Sequence, residues 1–134
     1  MKLIFKYYNY NYNYSKIMTD LTEQIINILE TSIILMEHSR QKMISPRTIK
    51  AAFEIIYKEN KELCKQGVIE ATKYITIECA NIECTNNNLK IQRKNYKFCD
   101  NLLKKFCKEK QVKKRAYTSI YLNGLIDILE KYKG

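Results

Sequence analysis

Apolar and polar positions alternate along this chain with a helical period almost throughout. From Thr19 to Met36 the apolar residues Leu21, Ile25, Ile28, Leu29, Ile33, Leu35 and Met36 cover more than one face, which predicts a helix gripped on two sides. Thr19, Asp20 and Thr22 are candidate caps, and Glu23 is placed to favour the N-terminal dipole. A second helix should begin near Ser45, whose hydroxyl can accept a backbone N–H, with Pro46 at the first helical position and Arg47 in the first turn. There Ile49, Ala52, Phe53, Ile56 and Tyr57 fall on one stripe. The charged run Lys58 to Glu62 interrupts that stripe and predicts a turn. Leu63, Cys64, Gly67, Val68, Ala71 and Ile75, with Thr72 at the margin, then align as a third helix that leaves Lys65, Gln66, Glu70 and Lys73 for water.

The remainder divides less sharply. Tyr96 to Lys108 is a short basic segment carrying Phe98, Leu102, Leu103 and Phe106, followed by a loop from Glu109 to Arg115 and a last helix through Ile120 to Leu129. Met1 to Ser15 contains an alternating Tyr-Asn tract with no helical stripe, and Met18 is an alternative start just before the first helix. The pattern therefore gives a low-complexity tail (1–16), a helical half (17–78), a linker (79–95) and a second helical half (96–134). The expected class is all-α: a long helix, a short one and an extension helix, followed by a short helix and a second long one.

Charge changes this picture in one place. The 134 residues carry 24 basic against 14 acidic side chains, and Lys90 to Arg115 alone holds eleven basic residues against Asp100 and Glu109. A basic run interleaved with Tyr96, Phe98 and Phe106 suits phosphate contact on one face and packing on the other; a solvated helix and linker is the plain alternative.

At this point the words of the sequence resemble a known family. Residues 17–76 resemble the core histone of the 2B type, from its central helix through its last helix and C-terminal extension. Ile44-Ser45-Pro46-Arg47-Thr48-Ile49 is similar to the family's Ile-Thr-Ser-Arg-Glu-Ile. Lys61-Glu62-Leu63-Cys64-Lys65 resembles Gly-Glu-Leu-Ala-Lys, and Val68-Ile69-Glu70-Ala71-Thr72-Lys73 resembles Val-Ser-Glu-Gly-Thr-Lys. Two residues are inserted near Lys58 to Lys61. Residues 96–133 carry a second likeness, because Ile120-Tyr121-Leu122-Asn123-Gly124-Leu125-Ile126-Asp127-Ile128-Leu129 resembles the start of the central helix of the 2A type, Val-Tyr-Leu-Ala-Ala-Val-Leu-Glu-Tyr-Leu. The order is that of fused histone pairs in some large DNA viruses. Measured against the family, the first half lacks a first helix and the second stops in or just after its long helix, which implies either a truncated product or completion by another chain.

The resemblance implies a histone fold and a DNA-binding protein that packages duplex as a nucleosome-type subunit. Its partners would be duplex DNA and histone-fold partners, through cis pairing or with other core histones, in a nucleus, virion or viral factory. The alternative it implies is a histone-fold interaction subunit of a transcription or chromatin complex with little DNA binding of its own; a small helical viral protein of unrelated role is the third reading. In the family the paired loops and helix N-termini meet phosphates. On that basis Arg47 and the adjacent Ser45, with Arg40 and Lys42 in the preceding loop and Lys97, Lys113, Lys114 and Arg115 in the second half, are the candidate DNA contacts. Glu62, Glu70 and Asp127 match positions of the family's acidic patch, a docking surface for basic peptides; ordinary exposed carboxylates are the alternative.

No enzymatic chemistry is expected. Cys64, Cys79, Cys84, Cys99 and Cys107 form no C-x-x-C pair and lie far in sequence from the sole His38, so no metal or cofactor is expected. Neither a phosphate-binding Gly loop nor a nucleophile elbow occurs, and no catalytic residue is assigned. The odd cysteine count and the short Leu3-Ile4-Phe5 run point to a reducing compartment. Asp20, Glu23, Glu30 and Glu37 break the first helix too often for it to span a bilayer, so no membrane partner is expected.

Overall fold

The computed structural model describes residues 21–83 and 95–133. Their helices run in the order α1 (Leu21–Ser39), α2 (Pro46–Ile56), α3 (Lys61–Glu83), α4 (Tyr96–Lys110) and α5 (Thr118–Lys133). The only extended pairing among the described residues joins β1 (Met43–Ile44) to β2 (Lys113–Lys114). The class is all-α, but the lengths depart from the expected long, short, extension, short, long order: the extension helix α3, at 23 residues, is the longest, and α4 and α5, at 15 and 16 residues, are nearly equal. The tail 1–16 and residues 84–94 of the stretch read as a linker lie outside the described residues. That stretch begins within helix, since α3 continues past Ile75 to Glu83.

Local chemistry sets the boundaries. Ser45 caps α2 from an extended conformation, its Oγ accepting the Thr48 N–H at 3.3 Å, and Pro46 occupies the first turn. The charged run after α2 is a turn closed by Asn60, whose Oδ1 accepts the Leu63 N–H at 3.1 Å and so caps α3. That cap is hidden in the sequence by the charges around it.

Each half meets the other through α5. Every residue from Thr118 to Ile126 is buried, and the most extensive helix pairing is that of α3 with α5. The two backbones meet where Gly124 faces Ala71: a Cβ on Gly124 would lie 2.6 Å from the Ala71 Cα. One turn earlier on α3, Gly67 gives room to the Phe53 ring of α2. Ile25, Ile28 and Leu29 of α1, Phe53 of α2, Leu103 of α4 and Leu122, Leu125, Ile126 and Leu129 of α5 form one continuous core, each almost wholly removed from water.

The buried faces of α1 and α4 hold more than the apolar stripes, and on α4 the expected packing of Phe98 is corrected. On α1 the polar Gln24, Asn27, Thr31 and Ser32 are buried with the apolar stripe. Ser32 is satisfied within its own helix, its hydroxyl donating to the Ile28 carbonyl at 2.8 Å. On α4 the inward stripe is Cys99, Leu103, Phe106 and Cys107, while Phe98 is 41 % exposed. A free cysteine packs as a small hydrophobe, and two of them at helical spacing rotate the buried face away from Phe98.

Candidate nucleic-acid interface

The two loops flanking β1 and β2 are built alike. At the end of α1, Arg40 takes the left-handed conformation (φ 57°), and the Gln41 N–H returns to the Met36 carbonyl at 2.9 Å. At the end of α4, Gln111 does the same (φ 57°), with the Val112 N–H on the Cys107 carbonyl at 3.0 Å. Both are helix stops of the Schellman kind, made here without glycine. Each loop then extends for two residues, and the extended pairs align in parallel, Met43 opposite Lys113 and Ile44 opposite Lys114. The Arg115 N–H continues the ladder to the Ile44 carbonyl at 2.8 Å, and the buried Thr118 hydroxyl donates to the Arg115 carbonyl at 2.7 Å. In this way the start of α5 is tied to the residue just before the α2 cap.

That tie creates the cation-rich feature of the surface. A cavity of about 530 Å³ opens beside the bridge, lined by Gln41, Lys42, Met43, Ser45, Pro46, Arg47 and Arg115. Lys42, Arg47 and Arg115 are exposed, and none of the lining residues is acidic. Among the described residues no carboxylate forms an ion pair with these three cations; the surface pair present is Lys104 with Asp100, at 2.9 Å on α4. Gln41, absent from the sequence-based candidates, lines the cavity and receives the Thr48 hydroxyl at 3.4 Å. Nothing in its sequence context marks it.

Of the eight candidate DNA contacts, Lys42, Ser45, Arg47 and Arg115 therefore converge on one cavity. Arg40 is exposed at the end of α1, and Lys113 is exposed on the bridge. Lys114 is half-buried and acts on Asp100 and Cys107 of α4, away from the cavity. Lys97 is exposed in the first turn of α4, at the opposite end of that helix from β2 and roughly 20 Å along its axis.

The three acidic candidates do not behave alike. Glu62 is exposed on α3 and accepts from the Gln66 amide at 3.0 Å. Glu70 is half-buried on the same helix. Asp127 is turned inward and accepts from the Tyr74 hydroxyl at 2.5 Å and the Asn95 amide at 2.7 Å, joining α3, α5 and the start of α4. Burial pushes the Asp127 carboxyl above its ordinary range, with Glu130 and Glu70 repelling the charge, against the opposing pull of the Tyr74 and Asn95 bonds. Burial likewise raises the Tyr74 phenol, helped by its bond to Asp127. Asp127 is thus a structural acceptor. Tyr74 and Asn95, its partners, carried no signal in the sequence because they lie 53 and 32 positions away.

No group of His, Cys, Asp or Glu suited to holding a metal ion occurs among the described residues. None of the described helices is long and apolar enough to cross a membrane. No protein-family model, curated protein or solved structure matches the chain.

Proposed function

We propose that this chain is a histone-fold protein that binds and compacts duplex DNA, its two halves pairing in cis. The observation that carries the reading is the parallel bridge between the loop after α1 and the loop before α5, with Lys42, Arg47 and Arg115 exposed around it and paired to no carboxylate among the described residues. In the family that residues 17–76 and 96–133 resemble, paired loops of this kind meet the phosphates. The chemistry supports the same role here. Three exposed cations and the N-terminus of α2 attract a polyanion without touching base edges, so binding is set by the phosphates and not by sequence. Arg47 is the central contact: it projects from the first turn of α2, next to the capping Ser45.

A duplex titration across salt tests this. Binding should weaken steeply with salt, the logarithm of affinity falling by about 0.9 per phosphate neutralised for each decade of salt concentration. Arg47→Ala and Arg115→Ala should each lower affinity on unrelated sequences alike and reduce the slope by about one. Should the folded chain show no salt-dependent affinity while pairing with a histone-fold partner, the packaging role fails and that of an interaction subunit takes its place.

A further inference from the structure

Ser45 offers the cavity its only hydroxyl. It is half-buried, and its Oγ lies 3.3 Å from the Thr48 N and 2.9 Å from the Thr48 Oγ1. Around it stand Lys42, Arg47 and Arg115 with no carboxylate in the lining. Pro46 follows directly, the residue that proline-directed protein kinases require after the serine they modify. We propose that Ser45 is a phosphorylation site, and that its phosphate is held by the cavity cations and closes the cavity to duplex DNA. The regulation rests on the DNA-binding reading; capture of the phosphate does not.

In the transfer, the Ser45 Oγ forms a bond to the γ-phosphorus of a nucleoside triphosphate. The bond from that phosphorus to the bridging oxygen breaks, the nucleoside diphosphate leaves, and the hydroxyl proton passes to the kinase's base. The product carries about 1.5 to 2 negative charges near neutral pH and three strong acceptor oxygens. At the start of a helix such a group is favoured by the dipole and still has the Thr48 N–H to accept from. Arg47 and Arg115 line the same cavity and supply the two fork-shaped donors best matched to phosphate geometry. An internal phosphate then neutralises the cations that a DNA phosphate would otherwise meet. The effect is local, since Ser39, the exposed serine among the described residues, bonds the Leu35 carbonyl on α1 and does not line the cavity.

The experiment uses the full chain in three arms. First, a proline-directed kinase with ATP should modify Ser45 in the folded wild type and not in Pro46→Ala, as mapped by mass spectrometry. A wild type that stays unmodified, while a peptide of residues 40–50 is modified, overturns the assignment. Second, phosphoserine is installed at position 45 during translation and titrated by phosphorus NMR. Its second ionisation should fall below the free value of about 6 and return toward it when Arg47 and Arg115 are both alanine. An ionisation that is unshifted, or indifferent to those arginines, overturns the proposal. Third, duplex affinity at about 0.1 M salt should drop at least tenfold on phosphorylation, with the salt slope smaller by about two, whereas phosphoserine at position 39 should have a lesser effect. A captured phosphate that leaves affinity unchanged overturns the regulation. A wild type with no salt-dependent affinity overturns the DNA-binding reading and the regulation with it; a lowered ionisation in the same chain would still establish phosphate capture.

Discussion

Gly124→Ala isolates the contact on which the union of the two halves depends. A Cβ at Gly124 would stand 2.6 Å from the Ala71 Cα, 3.0 Å from the Ala71 N and 3.2 Å from the Ala71 Cβ. Carbon atoms pack best at about 3.5 to 4.0 Å, so α3 and α5 must separate by roughly 1 Å. Overpacking of a filled core costs about 1–3 kcal/mol, and backbone as the obstacle places this case near the top of that range. Alanine in a helix interior returns about 1 kcal/mol relative to glycine, leaving a net loss of about 2 kcal/mol. For a domain of this size that loss lowers Tm by on the order of 10 °C, measurable by circular dichroism or by the urea midpoint at unchanged m. Gly67→Ala is the control. Its Cβ would meet the Phe53 ring at 2.6 Å, an obstacle that is side chain and can shift, so the loss should be smaller. Adding Ala71→Gly to Gly124→Ala removes only the Cβ contact and should not restore stability. If Gly124→Ala melts at or above the wild-type temperature, α3 and α5 do not approach as closely as described, and the argument for cis pairing through this contact is wrong.

Two carboxylates should report pH in opposite senses. Asp127 is raised from its ordinary value of 3.8, chiefly by burial, so its contribution is fully present below that value and is lost as pH rises through the folded pKa. Asp127→Asn should therefore gain on the wild type over that window, while Asp127→Ala removes the close acceptor of Tyr74 and leaves the Asn95 amide only its longer bond to Glu130 at 3.2 Å, costing about 1–3 kcal/mol. Asp100 goes the other way: burial acts to raise it, but the Ser119 hydroxyl at 2.6 Å and Lys104 outweigh that and lower it from 3.8. Its contribution is present above that value and disappears as pH falls through the folded pKa, so Asp100→Asn should flatten the acid limb of a stability-against-pH curve. Among the cysteines, burial pushes Cys99 up to about 12 and raises Cys107 as well. Iodoacetamide should label the half-buried Cys79 in the native chain and reach Cys99 and Cys107 only on unfolding, as followed by mass spectrometry; equal rates would contradict their burial.

What the sequence carried, and what it did not, follows from the range of each interaction. Ser45 and Pro46 declare a helix start because cap and helix are adjacent in the chain, and the stripe through Ile49, Ala52 and Phe53 repeats within a single helix. Cys99 and Cys107 carry no sign in the sequence of the packing role they take on the buried face of α4, because the apolar stripe there reads through Phe98, Leu102, Leu103 and Phe106 without them. Asp127 was legible as a carboxylate on a helix but not as an inward one, since that depends on Tyr74 and Asn95 arriving from other elements. The cavity is the extreme case: Arg47 and Arg115 come from opposite halves, and only the parallel register of Met43 with Lys113 puts them together. The individual cations could be named from the sequence. Their convergence could not.

The conformation of the loops gives this convergence a physical reason. A non-glycine residue in the left-handed region costs on the order of 1–2 kcal/mol, and both loops accept that at Arg40 and Gln111. Glycine would relieve the backbone at either place. At Arg40, however, it would also remove a cation from the end of α1, where positive charge is favoured by the helix dipole, and from the loop that leads to Lys42 and the cavity. Gln111 accepts the same backbone cost with no charge, so the stop itself is held by the bonds that close each helix end, Gln41 N–H to the Met36 carbonyl and Val112 N–H to the Cys107 carbonyl. What Arg40 adds to that shared geometry is an exposed cation at the entrance to the loop of Lys42, and under the proposed function it would meet the same phosphates.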